Sequence, residues 1–351
     1  MNKLSRQEIL RRCGNPAQLA NVRRFTYADG NSKGMGGCEV KTGSGLRFTV
    51  LEDRGFDLYE MEYKGVNLSW LSKPSLVSGE RFSSSDGRFG TIINGGMMFT
   101  AGLLNAGGGC NDNGKILPVH GTADGQSATE IYSKTVLRDG GYDIEVGGKI
   151  KEASLNGENL EFTRKYITAS CKPSVTIKDR LDNLACEDCE FMLLYHINIG
   201  YPMLDEGSKL YTSKGSAKPR NKDAAPGFPE HRNFIAPVDG LPEEVFFHDL
   251  QPDKDGYAYA LLVNEKLELG LYVKYSRDTL ENLNEWKHMH SGDYVLGLEP
   301  ANCFIMGRVG ERENGSLKTV KAFSSVDFEV EIGILDGADK IDAFIAEKEL
   351  I

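Results

Sequence analysis

The chain is 351 residues long, with a formal net charge of −10 and 40 glycines. An acidic surface repels phosphate backbones and anionic lipid, and no run of Lys and Arg offsets it, which argues against nucleic-acid and membrane-surface roles and favours a small neutral or weakly charged ligand. Length alone suggests two domains, but large all-β sandwiches share one core over a few hundred residues, so a single domain over 1–351 is expected.

In chain order, the N-terminus lacks the apolar stretch of a signal peptide. Ser5-Arg6-Gln7-Glu8 reads as a capping box, predicting a short helix over about 5–12 that Gly14 closes. Period-two alternation then predicts strands at Leu46–Leu51, Tyr142–Ile150, Leu160–Ile167, Ser174–Asp179 and Asp327–Ile334. Gly, Asn and Asp clusters separate them, at Asn31–Gly37, Asp139-Gly140-Gly141 and Asn156-Gly157. The glycines follow no Gly-X-Y period and suit such turns and bulges. Strand after strand without helices between them argues for antiparallel sheets. The polar stretch from Gly207 to Pro229 is expected to be an excursion, because strand-like text resumes at Val245-Phe246-Phe247 and at Tyr257 to Val263. Ile341, Phe344, Ile345 and Leu350 lie at helical spacing, predicting a terminal helix over about 339–350. No window approaches the length of a membrane span. Seven scattered cysteines, an odd number, point to reduced thiols and a cytoplasmic setting. Cys186 and Cys189 lack two further soft ligands at zinc spacing, so they read as incidental thiols.

Three segments join strand periodicity to side chains capable of chemistry. In Leu117-Pro118-Val119-His120-Gly121-Thr122, Pro and Gly flank a histidine where backbone can approach a ligand closely. In Leu193 to Pro202, Leu193, Tyr195, Ile197 and Ile199 share one face, while His196 and Asn198 share the other, setting imidazole beside amide. In Tyr294 to Asn302, Leu296 and Leu298 face one way, Gly297 and Glu299 the other, and Pro300 ends the run. Glu285-Trp286-Lys287 upstream adds an aromatic platform and a cation. Taken singly, a strand histidine is usually a hydrogen-bonded structural residue and a strand-end glutamate is usually solvated; their conjunction is what points to a site.

His120-Gly121, His196-Ile197-Asn198-Ile199-Gly200 and Glu299-Pro300-Ala301-Asn302 occur in the order of the functional segments of the aldose 1-epimerases, or galactose mutarotases. The chain resembles that superfamily over nearly its whole length. It resembles a divergent branch marked by Asp53-Arg54-Gly55-Phe56-Asp57, Gly95-Gly96-Met97-Met98, Ala101-Gly102-Leu103 and Glu285-Trp286-Lys287. The resemblance implies an all-β, large antiparallel supersandwich with the sugar in a cleft on one sheet. It implies His196 as general acid and Glu299 as general base. His120, Arg54, Asn198, Lys287, Trp286 and Asn302 would contact substrate, with Arg54 and Lys287 outside the usual motifs of the family. The early Arg–Asn segment of the usual enzymes has no clean match, which bears on the substrate more than on the fold. No metal or other cofactor is implied, and the partner is a small sugar or sugar derivative.

Anomer interconversion opens the ring as O1–H loses a proton and the ring oxygen gains one, work suited to an imidazolium and a carboxylate near neutral pH. Three other readings are compatible with these residues. The same pair could epimerise, isomerise or eliminate an unusual sugar or sugar acid, with Arg54 and Lys287 holding a carboxylate or enolate. A carbohydrate-binding protein without catalysis would keep the cleft but need only part of the pair. Finally, His120, His196, His248 and Glu299 could together hold a divalent metal.

Overall fold

The computed structural model describes residues 4–81 and 89–351. The alternating segments form two large sheets. Through the middle of the twelve-stranded sheet the neighbours are Leu58–Tyr63, Met98–Leu103, Cys189–Ile199, Asp293–Ala301, Asn282–His290, Glu244–Leu250 and Gly215–Pro219. The eight-stranded sheet runs Lys209–Thr212, Tyr257–Asn264, Leu269–Ser276, Ser325–Asp336, Lys172–Asn183, Asn159–Ala169, Gly141–Ala153 and Thr129–Arg138. Adjacent strands in both series are antiparallel, as expected for a chain whose strands follow one another through tight turns.

The inner faces meet in one hydrophobic cluster, to which Leu193, Tyr195, Ile197, Ile199, Leu296 and Leu298 contribute from the first sheet and Phe162, Ile177, Val273 and Ile332 from the second. The alternation in Leu193–Ile199 and Leu296–Leu298 therefore marks the core side correctly. Each side chain buried this way contributes about 1.5–3 kcal/mol from the apolar area it removes from water. A polar clamp crosses the same core. Arg164, 1 % exposed, donates from Nε and Nη2 to Asp179 and from Nη1 to Asp57 (2.5 Å) and Thr100 (2.8 Å). The Tyr195 hydroxyl donates to the same Asp179 at 2.7 Å. Thr100 and Tyr195 sit on the strands Met98–Leu103 and Cys189–Ile199, so the clamp grips from behind the strands that carry the site.

The N-terminal helix spans Arg6–Arg12 with both halves of the Ser5/Glu8 capping box formed. It ends on Cys13 in extended conformation rather than on Gly14, so the chain leaves the helix without a left-handed turn. The C-terminal helix, Ala338–Glu347, packs Ile341, Phe344 and Ile345 with Leu350 against Tyr259 and Leu261 on the outer face of the second sheet. The 207–229 excursion holds more order than its composition predicts. Lys209–Thr212 adds an edge strand to one sheet and Gly215–Pro219 to the other, so the segment bridges the two layers. Among the described residues no helix is long and apolar enough to cross a membrane.

Candidate active site

Strand register builds the site from residues scattered over almost two hundred positions. His196 pairs with Phe99 on one neighbouring strand. On the other side, the pairs Ile197–Leu298 and Leu194–Ala301 bring His196 beside Glu299. Glu299 pairs with Asn284, and Asn284 with Phe247. Directly paired residues share a face, so Phe99, His196, Glu299, Asn284 and Phe247 form one row on the outer face of the twelve-stranded sheet. Gly297 makes room in this row, because a Cβ there would stand 2.9 Å from Glu299 Oε1 and 3.0 Å from the Cβ of Trp286.

His196 Nε2 lies 3.1 Å from Glu299 Oε1. On its other side, His196 Nδ1 is 2.6 Å from Asn198 Oδ1. The Asn198 amide nitrogen donates to the carbonyls of Gly96 and His196, which fixes its oxygen as an acceptor. Nδ1 of His196 therefore bears hydrogen, and Nε2 is the nitrogen that faces Glu299. Phe99 stacks on the imidazole with centroids 4.4 Å apart, and Trp286 and His120 meet it edge-on at 5.4 and 5.5 Å. Trp70 stands edge-on to Trp286 at 5.7 Å. His120 adopts a left-handed backbone, φ 59°. Gly121 after it could not carry a side chain, since a Cβ would fall 2.2 Å from the Gly102 carbonyl oxygen. His120 Nδ1 accepts from the Gly107 amide, which leaves the ring proton on Nε2.

His196 and Glu299 are 5 % and 2 % exposed. Burial pushes the Glu299 carboxyl up to about 8, with the charge of Glu243 adding and that of Arg220 opposing. Burial also holds the His196 imidazole well below its usual value, with His120 adding to it and the bond to Asn198 opposing. Both directions favour uncharged partners, so the free pair is a carboxylic acid donating to a neutral imidazole. This differs from the imidazolium–carboxylate combination expected from sequence, and the cause is desolvation. Burial likewise lowers His120 to about 4, so it is a neutral donor.

Other expected contact residues divide between the two faces. Trp286 is on the site face, with its indole N–H donating to Glu243 at 2.8 Å. Lys287, the next residue in the strand, points to the opposite face, where Nζ donates to the carbonyls of Glu230 and Asn233. Period-two geometry forbids it from sharing a face with Trp286 and His196, which corrects the expectation that Lys287 contacts substrate there. Arg54 is 2 % exposed, and its guanidinium donates to Asp124, Val77, Ile92 and Asn94, binding loops together inside the protein. Asn302 receives the Leu193 amide on Oδ1, while its buried Nδ2 has no partner. His248 lies behind the sheet, paired with Leu283 on the core side, so the His120, His196, His248, Glu299 metal set does not assemble.

Asn284 escaped the sequence reading. It is fully buried beside Glu299, and neither its amide oxygen nor its nitrogen has a partner. Unsatisfied buried amides are costly unless a ligand completes them. One residue on from Asn284 in this row, Phe247 lines a cavity of about 620 Å³ together with Ser216, Lys218, Asn282, Asn302 and Phe304. The signal available in the sequence was the alternation Asn282, Asn284, Trp286, His288, a strand face with polar residues and one large ring.

These two stacked sheets, with a polar row on the outer face of the larger one, define a galactose mutarotase-like β-sandwich. A candidate aldose 1-epimerase from Klebsiella pneumoniae superposes with a TM-score of 0.88 at 23 % identity, covering 93 % of this chain and 86 % of that one. A galactose mutarotase-like protein from Clostridium acetobutylicum gives 0.60 at 14 % identity, covering 91 % and 99 %. Galactose 1-epimerase from Lactobacillus acidophilus gives 0.55 at 13 %, again covering 91 % and 99 %. At these identities the likeness is one of fold. The chain itself belongs to the family described as Domain of unknown function (DUF4432), whose sequence pattern matches residues 32–334. No curated protein matches the sequence.

Proposed function

We propose that the protein is a carbohydrate isomerase that interconverts sugar anomers by proton transfer through His196 and Glu299. The observation that carries this reading is the direct 3.1 Å contact between a buried imidazole and a buried carboxyl group on the outer face of the larger sheet of a sugar-epimerase fold. O1 and the ring oxygen of a pyranose are bonded to the same carbon, so two neighbouring proton-transfer groups can reach both.

The neutral pair carries one proton to give and one lone pair to receive. In this state the two residues exchange the roles expected from sequence: O1–H passes its proton to His196 Nε2, the base, while Glu299, the acid, protonates the ring oxygen; the C1–ring oxygen bond breaks and C1 becomes an aldehyde. This leaves imidazolium beside carboxylate, the ionised combination expected from sequence, which is stabilised by the short contact. Rotation about C1–C2 exposes the other aldehyde face. On closure Glu299 takes the proton back from the hydroxyl as its oxygen attacks C1, and His196 returns its proton to O1. Each positioned acid or base typically contributes on the order of 10²- to 10⁴-fold. Asn198 holds the tautomer, His120 offers Nε2–H to a hydroxyl, and Trp286 offers a ring face to the sugar. Seven free thiols suit a reducing, cytoplasmic setting.

Polarimetry of freshly dissolved anomers across neutral aldoses and uronic acids tests the reading. Faster equilibration with the wild-type protein than without it supports mutarotation and names the sugar class. Binding of a sugar with no acceleration for any member refutes it.

A further inference from the structure

Behind the polar row, on the inner face of the same sheet, lies a second cluster that this reaction does not use. Glu285 sits between Asn284 and Trp286 in its strand and so points the other way, toward the core side. His248 shares that face from the neighbouring strand, Glu244–Leu250. His231 arrives from the turn after Phe228–Glu230, at the end of the excursion. His231 Nδ1 and His248 Nε2 each lie 2.8 Å from Glu285 Oε2. The three residues are 7 %, 1 % and 0 % exposed.

Two further observations point to a ligand. Glu285 Oε1 is buried and has no partner, so half of a fully enclosed carboxylate is bare. The turn that brings His231 is built to hold the ring still: Phe228 stacks on it at 5.1 Å and 11°, and Phe246 packs beside both rings at 5.2 Å from His231 and 6.0 Å from Phe228.

We propose that His231 Nδ1, His248 Nε2 and the Glu285 carboxylate form a binding site for a divalent transition-metal ion, with zinc as the natural occupant. Two imidazoles and one carboxylate are borderline donors suited to zinc, and less so to calcium or magnesium, which prefer all-oxygen shells. The donor atoms lie within 4.8 Å of one another. Zinc bonds of about 2.0–2.2 Å require tetrahedral donors roughly 3.3 Å apart, so each imidazole nitrogen, now 2.8 Å from Glu285 Oε2, would draw back from that oxygen by about half an ångström to admit the ion. The bare Oε1 gives the carboxylate an unused lone pair to turn toward the ion. The site is enclosed and faces away from His196 and Glu299, so its role is structural: it ties the Asn282–His290 strand, which carries Asn284 and Trp286, to its neighbour and to the 228–231 turn. It does not depend on the proposed reaction.

The full chain, stripped with EDTA, is incubated with zinc chloride, passed through a desalting column and analysed for metal. The same protein is titrated with cobalt and followed by visible absorption. The expected result is one zinc per chain, tetrahedral cobalt bands, and a melting temperature that climbs with zinc concentration. His231→Gln should abolish all three while melting like EDTA-treated wild type. Two controls should retain the ion, His288→Gln/His290→Gln, which removes an adjacent histidine pair (centroids 5.7 Å), and Cys186→Ser/Cys189→Ser. Zinc absent from the loaded wild type, zinc retained by His231→Gln, or zinc lost from either control would each overturn the proposal.

Discussion

Arg164→Met removes the cation at the centre of the core clamp. The guanidinium serves Asp179 through Nε and Nη2 and Asp57 and Thr100 through Nη1, all within 3.0 Å. Methionine fills much of the volume but leaves two carboxylates enclosed without their counter-charge. Breaking a buried pair from one side costs about 3–5 kcal/mol. Unfolding entropy of about 2.1 cal/mol/K per residue over 351 residues gives about 0.7 kcal/mol/K, so the melting temperature should fall by about 4–7 °C. Burial already pushes Asp57 up to about 6 against the pull of Arg164. In the variant that opposing pull is gone, and the folded state holds protons that the unfolded state releases above the usual carboxyl pKa. Stability then falls as pH rises through that window, so the deficit should be larger at pH 8 than at pH 5. Differential scanning calorimetry at the two pH values measures both quantities. Arg164→Met/Asp57→Asn/Asp179→Asn should recover part of the loss by removing the stranded charges. A variant that melts within about 1 °C of wild type, or a deficit that does not shrink toward pH 5, refutes the reasoning.

Two predictions concern the site. In the proposed reaction Glu299 must be protonated to donate to the ring oxygen, and burial raises its pKa to about 8. The value of kcat/KM should therefore fall as pH rises through about 8, and should fall on the acid side only below the ordinary histidine pKa, where His196 gains a proton; a rate still climbing at about pH 9 contradicts this assignment. Asn284→Ala removes two polar atoms that have no partner in the free protein. It should leave the melting temperature unchanged or slightly higher while raising KM about tenfold or more, the loss of about 1.4 kcal/mol or more of hydrogen bonding. Loss of stability with an unchanged KM would mean that the amide serves the fold instead.

Within single strands, much of this was legible. Alternation sorts Leu193, Tyr195, Ile197 and Ile199 from His196 and Asn198, and the structure seats the first set in the core. Period two also decides the fate of Lys287, since a residue adjacent to Trp286 in a strand cannot share its face. What one-dimensional pattern does not encode is register between strands distant in sequence. Phe99 stacks on His196 and Asn284 flanks Glu299 only because of how four strands align. Arg54 illustrates a second gap: its carboxylate partner, Asp124, is 70 residues away, so a buried structural cation looks the same in sequence as a substrate-binding one. The protonation state of the His196–Glu299 pair was equally hidden, because it follows from how deeply both groups are buried rather than from their identity.

The most direct test is exchange NMR between the anomers of the sugar class that polarimetry identifies, at equilibrium, for wild type, His196→Ala, Glu299→Gln and Asn198→Ala. The account predicts enzyme-driven exchange in wild type, none above the spontaneous rate in the first two variants, and a reduced rate with intact binding when Asn198 no longer fixes the tautomer. Exchange that survives in both His196→Ala and Glu299→Gln would contradict the central claim that this buried pair moves the protons.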